Sequence, residues 1–538
     1  GCTSLASIEI PDSVTSIGED AFRGCTSLTI YCGAESQPEG WNSNWNPYNR
    51  PVIWGYKAAS KGLEFTSNGD GTCYVSGIGS CTDTEVIIPS VSPAGDMVTS
   101  IGYEAFYKCT SFTSVTIPDG VTSIGSFAFE ECINLMSVVI GDSVTSIGSS
   151  AFANCTSIES MVIGDSVTSI GGAAFLGCTS LASIEIPDSV TSIGSIAFGS
   201  CASLTRIELP DGVTFIYDYA FDGCTSLESV VIPDSVTKIH NGAFSGCTSL
   251  ESVVIPDSVT SVGEDAFYYC TSLASVVIPD SVTSIGEEVF RNCTSLESVV
   301  FSENSQCTSI GNYAFWDCTS LANVVIGDSV TSIGNSAFRG CTSLTSVTIP
   351  DGVTSIGDYA FSGCYKLIEV YNRSSLNISV GSSSNGYVAY YAKNVYTPES
   401  GQSNLTNKDD YVFYNDNGTY YLVGYIGTDT ELTLPENING STYLIYNYAF
   451  YRCTSLTSVI VPDSVTSIGE NAFWGCTSLE SVVIPDSVTS IGDWAFYNCT
   501  SLESVVIPDS VTSIGSSAFS GCTSLASIEI PDSVTSIG

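Results

Sequence analysis

The chain has 538 residues, of which 14 are basic and 56 acidic, for a formal net charge of −42. That balance repels nucleic-acid phosphates and anionic lipid headgroups, so neither is a fitting partner. At 43% hydrophobic residues the chain is too apolar for an acidic disordered tail, and no run of about 18 apolar residues is present to span a bilayer; the carboxylates must decorate the outside of something with a substantial core.

Residues 1–18, GCTSLASIEIPDSVTSIG, recur unchanged at 177–194 and 521–538, so both ends read as cuts in a longer array. Residues 1–56 read as the C-terminal part of a repeat module closed by an aromatic exit cap, in which Trp41, Trp45, Trp54, Tyr48 and Tyr56 seal the open end of a stack. A complete module is expected over 57–399, with an opening hairpin at 62–90, repeats at 91–370 and a second exit cap at 371–399. Residues 400–538 read as the opening hairpin and repeats of a third, truncated module. The basis is a match between Thr428-Asp429-Thr430-Glu431 and Thr82-Asp83-Thr84-Glu85, each ending four residues before a proline.

Inside the middle module the period is strict. Cys109, Cys132, Cys155, Cys178, Cys201, Cys224, Cys247, Cys270 and Cys293 follow one another at 23 residues. The step from Cys293 to Cys318 is 25, and the extra length is expected as a bulged loop at Ser302–Gln306. In the unit from Cys247 to Tyr269, Leu250, Val253 and Ile255 alternate before a Pro256-Asp257 turn, and Val259 and Val262 form a second short apolar run; two strands per coil follow. Gly263 permits a bend, and Ala266-Phe267 folds back to plug the interior. One such coil cannot bury its apolar face, whereas stacked coils share a core at about 4.8 Å per step. The expected fold is therefore a repeat solenoid, a leucine-rich-repeat-like stack of 23-residue coils with parallel β-sheet, interrupted by aromatic-rich cap and opening β-hairpin segments.

The unit L-x-S-V-x-I-P-D-S-V-T-S-I-G-x-x-A-F-x-x-C closely resembles the BspA-like leucine-rich repeat family, over roughly three quarters of the chain. The resemblance implies a large surface or secreted protein that adheres to host proteins and other cells, and it carries over no catalytic residue. The near-identity of the units departs from the family and points toward a repetitive structural role.

Thiolate zinc sites use C-x2-C spacings, which a spacing of 23 does not supply, so the cysteine ladder is read as buried thiols stacked inside the core. Adjacent coils still place Cα atoms about 5 Å apart, within disulfide range. Off the ladder, Cys73 and Cys81 flank Y-V-S-G-I-G-S, where pairing across the opening hairpin is one alternative, though the matching segment at 416–435 keeps no cysteines. His240, the only histidine, takes a slot that other coils give to glycine, a position expected to demand an unusual backbone. No G-x-S-x-G, H-E-x-x-H or phosphate-loop pattern accompanies it, so no enzyme is expected, and neither a cofactor nor a metal site. Asp188, Asp211, Asp234, Asp257 and Asp280 recur at the Pro-Asp turn as turn formers. A column of carboxylates has the chemistry to attract Ca²⁺, though no calcium-loop spacing supports that.

The candidate partner surface is the second valine of S-V-V-I-P, which alternation turns to solvent. Val231, Val254, Val277, Val300 and Val325 hold that place in five consecutive coils, with Glu228, Glu251 and Glu297 beside them, whereas Glu9, Glu185 and Glu208 hold it elsewhere. Such a strip spans about 20 Å and is long for a soluble monomer, although valine also suits any strand. Two functions fit: an extracellular or cell-surface adhesin engaging proteins or glycans, and a subunit of an extracellular filament built by self-association.

Overall fold

The computed structural model describes residues 2–11, 13–55, 57–398 and 403–538. They form a parallel β-solenoid, and no helix occurs among the described residues. The chain divides into two compact units, Gly1–Leu204 and Thr205–Gly538, a division that falls inside the expected middle module.

The unit that begins at Cys247 shows how one coil forms. Ser252–Val253 makes a first strand, and Val259 N–H donates to Pro256 O at 3.0 Å to close the Pro-Asp-Ser turn. Ser261–Val262 makes the second strand. The return turn then needs two left-handed residues, Asp265 (φ 57°) and Tyr269 (φ 59°). Glycine costs least at such a place and asparagine bears it well, which is why Gly246 and Asn292 stand where Tyr269 does in their own coils. Leu250, Val253, Ile255, Val259, Val262, Ala266 and Phe267 are all buried.

Stacking is rung on rung and parallel. In the second unit the first strands pair from Arg206–Glu208 to Asn323–Val325 and the second strands from Phe215–Ile216 to Ser355–Ile356. In the first unit the two corresponding sheets run from Glu85–Ile87 to Ser183–Glu185, and from a hairpin at Glu64–Ser67 and Thr72–Gly77 to Ser192–Ile193. Interior phenylalanines stack face to face in both units, Phe129 on Phe152 at 5.1 Å and Phe267 on Phe290 at 5.4 Å. Side chains add ladders of their own: Thr260 Oγ1 donates to Thr237 O at 3.2 Å and Ser258 Oγ to Val236 O at 2.6 Å. The two extra residues near Ser302–Gln306 loop out without shifting register, since Ser284 pairs with Ser309 and Ile285 with Ile310.

Each interruption supplies strands. After Leu28, Thr29–Cys32 pairs with Ser7–Ile10 and with Val52–Ile53, and Trp41, Trp45 and Trp54 cluster with centroids 4.8–6.1 Å apart. Trp41 Nε1–H donates to Val14 O at 2.9 Å. Tyr48 stays exposed, with Arg50 over its ring, so it adds nothing to that seal; Tyr56 lies outside the described residues. Three antiparallel strands, Leu405–Lys408, Tyr411–Asp416 and Thr419–Tyr425, precede the return of parallel stacking at Tyr443–Ile445.

Two expectations are corrected. Cys73 and Cys81 are both free thiols. The hairpin turns at Asn68–Gly71, where Asp70 accepts from Thr72 N–H at 3.0 Å, so Cys73 lies on the second strand and Cys81 beyond its end, and nothing brings them face to face. The slot of His240 does not require an unusual backbone either, because neither His240 nor the equivalent Gly148, Gly171 or Gly263 has a left-handed φ. The requirement is close approach: a Cβ at Gly148 would lie 2.5 Å from Ser126 N of the coil before it. In the coil before His240 the same slot holds Tyr217, and the two rings stack at 5.4 Å.

Gly148→Ala should therefore cost about 1–3 kcal/mol by overpacking and lower the melting temperature. Gly286→Ala, whose Cβ would come no nearer than 3.2 Å to any neighbour, should cost visibly less; equal melting temperatures would remove close approach as the reason for glycine.

Candidate functional site

The first sheet sets the geometry of the surface. On each strand alternate residues face inward, so Ser275–Ile278 reads exposed, buried, exposed, buried. Val277, Val300 and Val325 are register partners on adjacent strands and all three are exposed. Val231 is exposed as the partner of Glu208, and Val254, one residue beyond its strand, is the most open of the five at 78%. Glu228, Glu251 and Glu297 are exposed three residues earlier in their coils, forming an acidic margin.

The same alternation produces exposed positions that the sequence reading passed over. Val139 pairs with Val162 in the first unit, and Ile460, Val483 and Val506 are consecutive partners in the second, all exposed. The signal was present as S-V-V-I at 137–140, 481–484 and 504–507.

The BspA type leucine rich repeat region matches residues 1–34, 99–228, 214–308, 308–421 and 432–538, in six copies. The chain belongs to the BspA type leucine-rich repeat family. Among solved structures it is similar to a leucine-rich repeat protein from Bacteroides ovatus, at 29% identity over 89% of this chain and 95% of that one, with a TM-score of 0.40. It is also similar to a leucine rich cell surface protein from Faecalibacterium prausnitzii, at 26% identity over 88% and 95% with a TM-score of 0.24. A leucine-rich repeat protein of T. pallidum is 31% identical over 36% of this chain and 91% of its own, with a TM-score of 0.34. A comparison with curated proteins gave no match.

In this member of the family the cysteine ladder consists of free thiols. Cys132, Cys155, Cys178, Cys201, Cys224, Cys247, Cys270 and Cys293 are buried, and Cys109 is half-buried. Seven of these buried thiols, Cys132, Cys155, Cys178, Cys201, Cys247, Cys270 and Cys293, are also donors, a role the spacing did not announce. Cys247 Sγ donates to Phe221 O at 3.2 Å and Cys270 Sγ to Phe244 O at 3.2 Å, as Cys132 Sγ does to Phe106 O at 3.0 Å in the first unit. The acceptor lies 26 residues earlier, so the thiol ties one coil's plug to the previous one. Burial, with Cys132 next to it, pushes the Cys109 thiol up to about 11, and burial alone pushes Cys178 and Cys293 up to about 12.

No group of three or more His, Cys, Asp or Glu side chains that could hold a metal occurs among the described residues. Asp188, Asp211, Asp234 and Asp257 are exposed at their turns, and Asp280 accepts from Ser302 Oγ. His240 Nδ1 lies 3.9 Å from Asp218 and its ring lies edge-on to Phe215 at 5.9 Å, an arrangement of packing rather than of proton transfer.

A raised thiol pKa leaves little reactive thiolate, about one part in a thousand for a group near 11 at pH 8. In the folded protein iodoacetamide should therefore label exposed Cys2 first, Cys109 slowly, and Cys247 only after denaturation. Cys109 labelling should rise about tenfold per pH unit between pH 7 and 9. Peptide mass spectrometry reads this, and rapid labelling of native Cys247 would contradict the buried ladder.

Proposed function

We propose that this protein is a non-enzymatic, extracellular or cell-surface repeat protein whose exposed sheet face adheres to protein or glycan partners. The observation that carries this reading is the register of exposed valines, Val277 beside Val300 beside Val325, with Val231 and Val254 leading to them. Contiguous apolar surface on a soluble face marks contact sites, and here it lies on a chain of net charge −42, whose acidity keeps it dispersed until a partner is met. The exposed Val139 and Val162 and the Ile460, Val483 and Val506 series repeat the same device.

The second reading is a subunit of an extracellular filament. A packed junction favours it: Tyr365 of the middle module stacks on Tyr448 of the third at 4.4 Å, and Ile368 joins Val412, Tyr414 and Val423 in a small core of their own. Modules of this chain therefore have end surfaces suited to other modules.

The double variant Val254→Lys, Val277→Lys separates the readings. Both positions are exposed, so stability should change by no more than about 0.5 kcal/mol. An adhesin remains particulate by negative-stain microscopy and loses binding on protein and glycan arrays. A filament protein forms fibres as the parent chain and fails to do so as the variant. If neither binding nor assembly changes, the valine stripe is not the contact.

A further inference from the structure

One polar cleft of about 440 Å³ opens within the second unit, where the third module's first coil faces the repeats before it. Ser320 and Asn323 line it from the repeats, Tyr425, Thr428 and Arg452 line it from the third module, and Lys366 lines it from between them. Lys366 breaks the local pattern, standing where other coils have serine in Cys-Thr-Ser-Leu. Its residue is only 5% exposed. Its stem runs against Gly424, where a Cβ would lie 3.2 Å from Lys366 Cδ and 3.4 Å from Nζ.

Among the described residues Lys366 has no hydrogen-bond or ion-pair partner. An ammonium with so little access to water and no acceptor is costly; burial holds this one below the usual lysine range, opposed by the nearby Cys453 and Cys476 thiols. The group that relieves that cost is an anion entering from the cleft. Two features narrow its chemistry. Hydroxyl and amide side chains with a tyrosine ring suit the hydroxyls and ring face of a sugar. Exposed carboxylates at Glu297 and Asp429 disfavour a multiply charged anion at the mouth.

We propose that this cleft is a binding site for an acidic sugar, a uronic acid unit, whose single carboxylate pairs with Lys366 while its hydroxyls meet Ser320, Asn323 and Thr428. The cleft shares Glu297 and the Asn323–Val325 strand with one end of the valine stripe, but its argument does not rest on the valines.

Titration calorimetry of the whole chain with glucuronic acid, glucose and inorganic phosphate tests it. Glucuronic acid should bind at least about tenfold more tightly than glucose, the difference expected of one charge-assisted contact. Lys366→Met should bring glucuronic acid down to the level of glucose. Asn323→Phe fills the cleft from an exposed wall, leaves the buried junction alone, and should abolish binding even if Lys366→Met does not fold. The Val254→Lys, Val277→Lys variant should bind like the parent chain. No heat with glucuronic acid, or heat undiminished by Asn323→Phe, overturns the site. Phosphate binding as tight as glucuronic acid reduces it to a generic anion hole and overturns the sugar assignment.

Discussion

Everything in this molecule depends on the contact between one coil and the next. Nearly every regular coil contributes strands of only two to four residues to each sheet, as Ser261–Val262 and Ser298–Phe301 do, and pairs that short carry few backbone hydrogen bonds. The remaining carbonyls are met by side chains of the following coil: Thr260 on Thr237, Ser258 on Val236, Cys270 on Phe244. A buried acceptor left without a donor costs about 1–3 kcal/mol, so threonine, serine and cysteine recur for the same reason that leucine and phenylalanine do. Near-identity of the units is then a physical requirement as well as a trace of duplication, because a residue that fits its own coil must also fit the two that touch it.

That requirement explains where polar groups enter the interior. Within the regular coils the buried side chains are apolar or thiol apart from Ser336 and Asn471, and charge stays outside. Where the period ends, charge goes in. Glu369 is fully buried beside the junction and accepts from Tyr371 and Tyr396 hydroxyls at 2.7 and 3.2 Å, from Ser403 Oγ at 2.8 Å and from Asn404 N–H at 2.8 Å. Three residues earlier Lys366 is buried with no such set. Two ionisable groups so close in sequence, one saturated with donors and the other without an acceptor, mark the junction as a place where the chain does more than stack.

How much of this was legible follows from what each signal reports. Spacing reports repetition, so the 23-residue coil, its two strands and the phenylalanine plug could be read from Cys247 to Tyr269. Alternation reports which side chain faces out, and Val231 to Val325 follow from it; Val139 and Val483 are equally readable by the same rule, in shorter runs. Contacts between coils are invisible to both signals. A glycine that yields to a neighbour's backbone looks the same in sequence as one that adopts a left-handed φ, so the slot of His240 was given the wrong reason. The Cys73 segment failed differently: two glycine-rich stretches compete for the hairpin turn there, and Asp70 decides for the first by capping Thr72.

The stripe and its margin together constrain what a partner can be. Burying Val254 or Val277 against another surface brings the exposed carboxylates of Glu228, Glu251 and Glu297 to the edge of the same contact. A partner with an apolar ridge alone gains the area and meets uncompensated charge at the rim. A partner with the same ridge fringed by lysine or arginine gains both, with the electrostatic part acting mainly on encounter and fading within a Debye length of about 8 Å at physiological salt. A second copy of this surface brings acid to acid, so face-to-face association of two identical stripes is the arrangement the margin opposes. Among the contacts open to this sheet, that places a basic-rimmed foreign surface ahead of the chain's own.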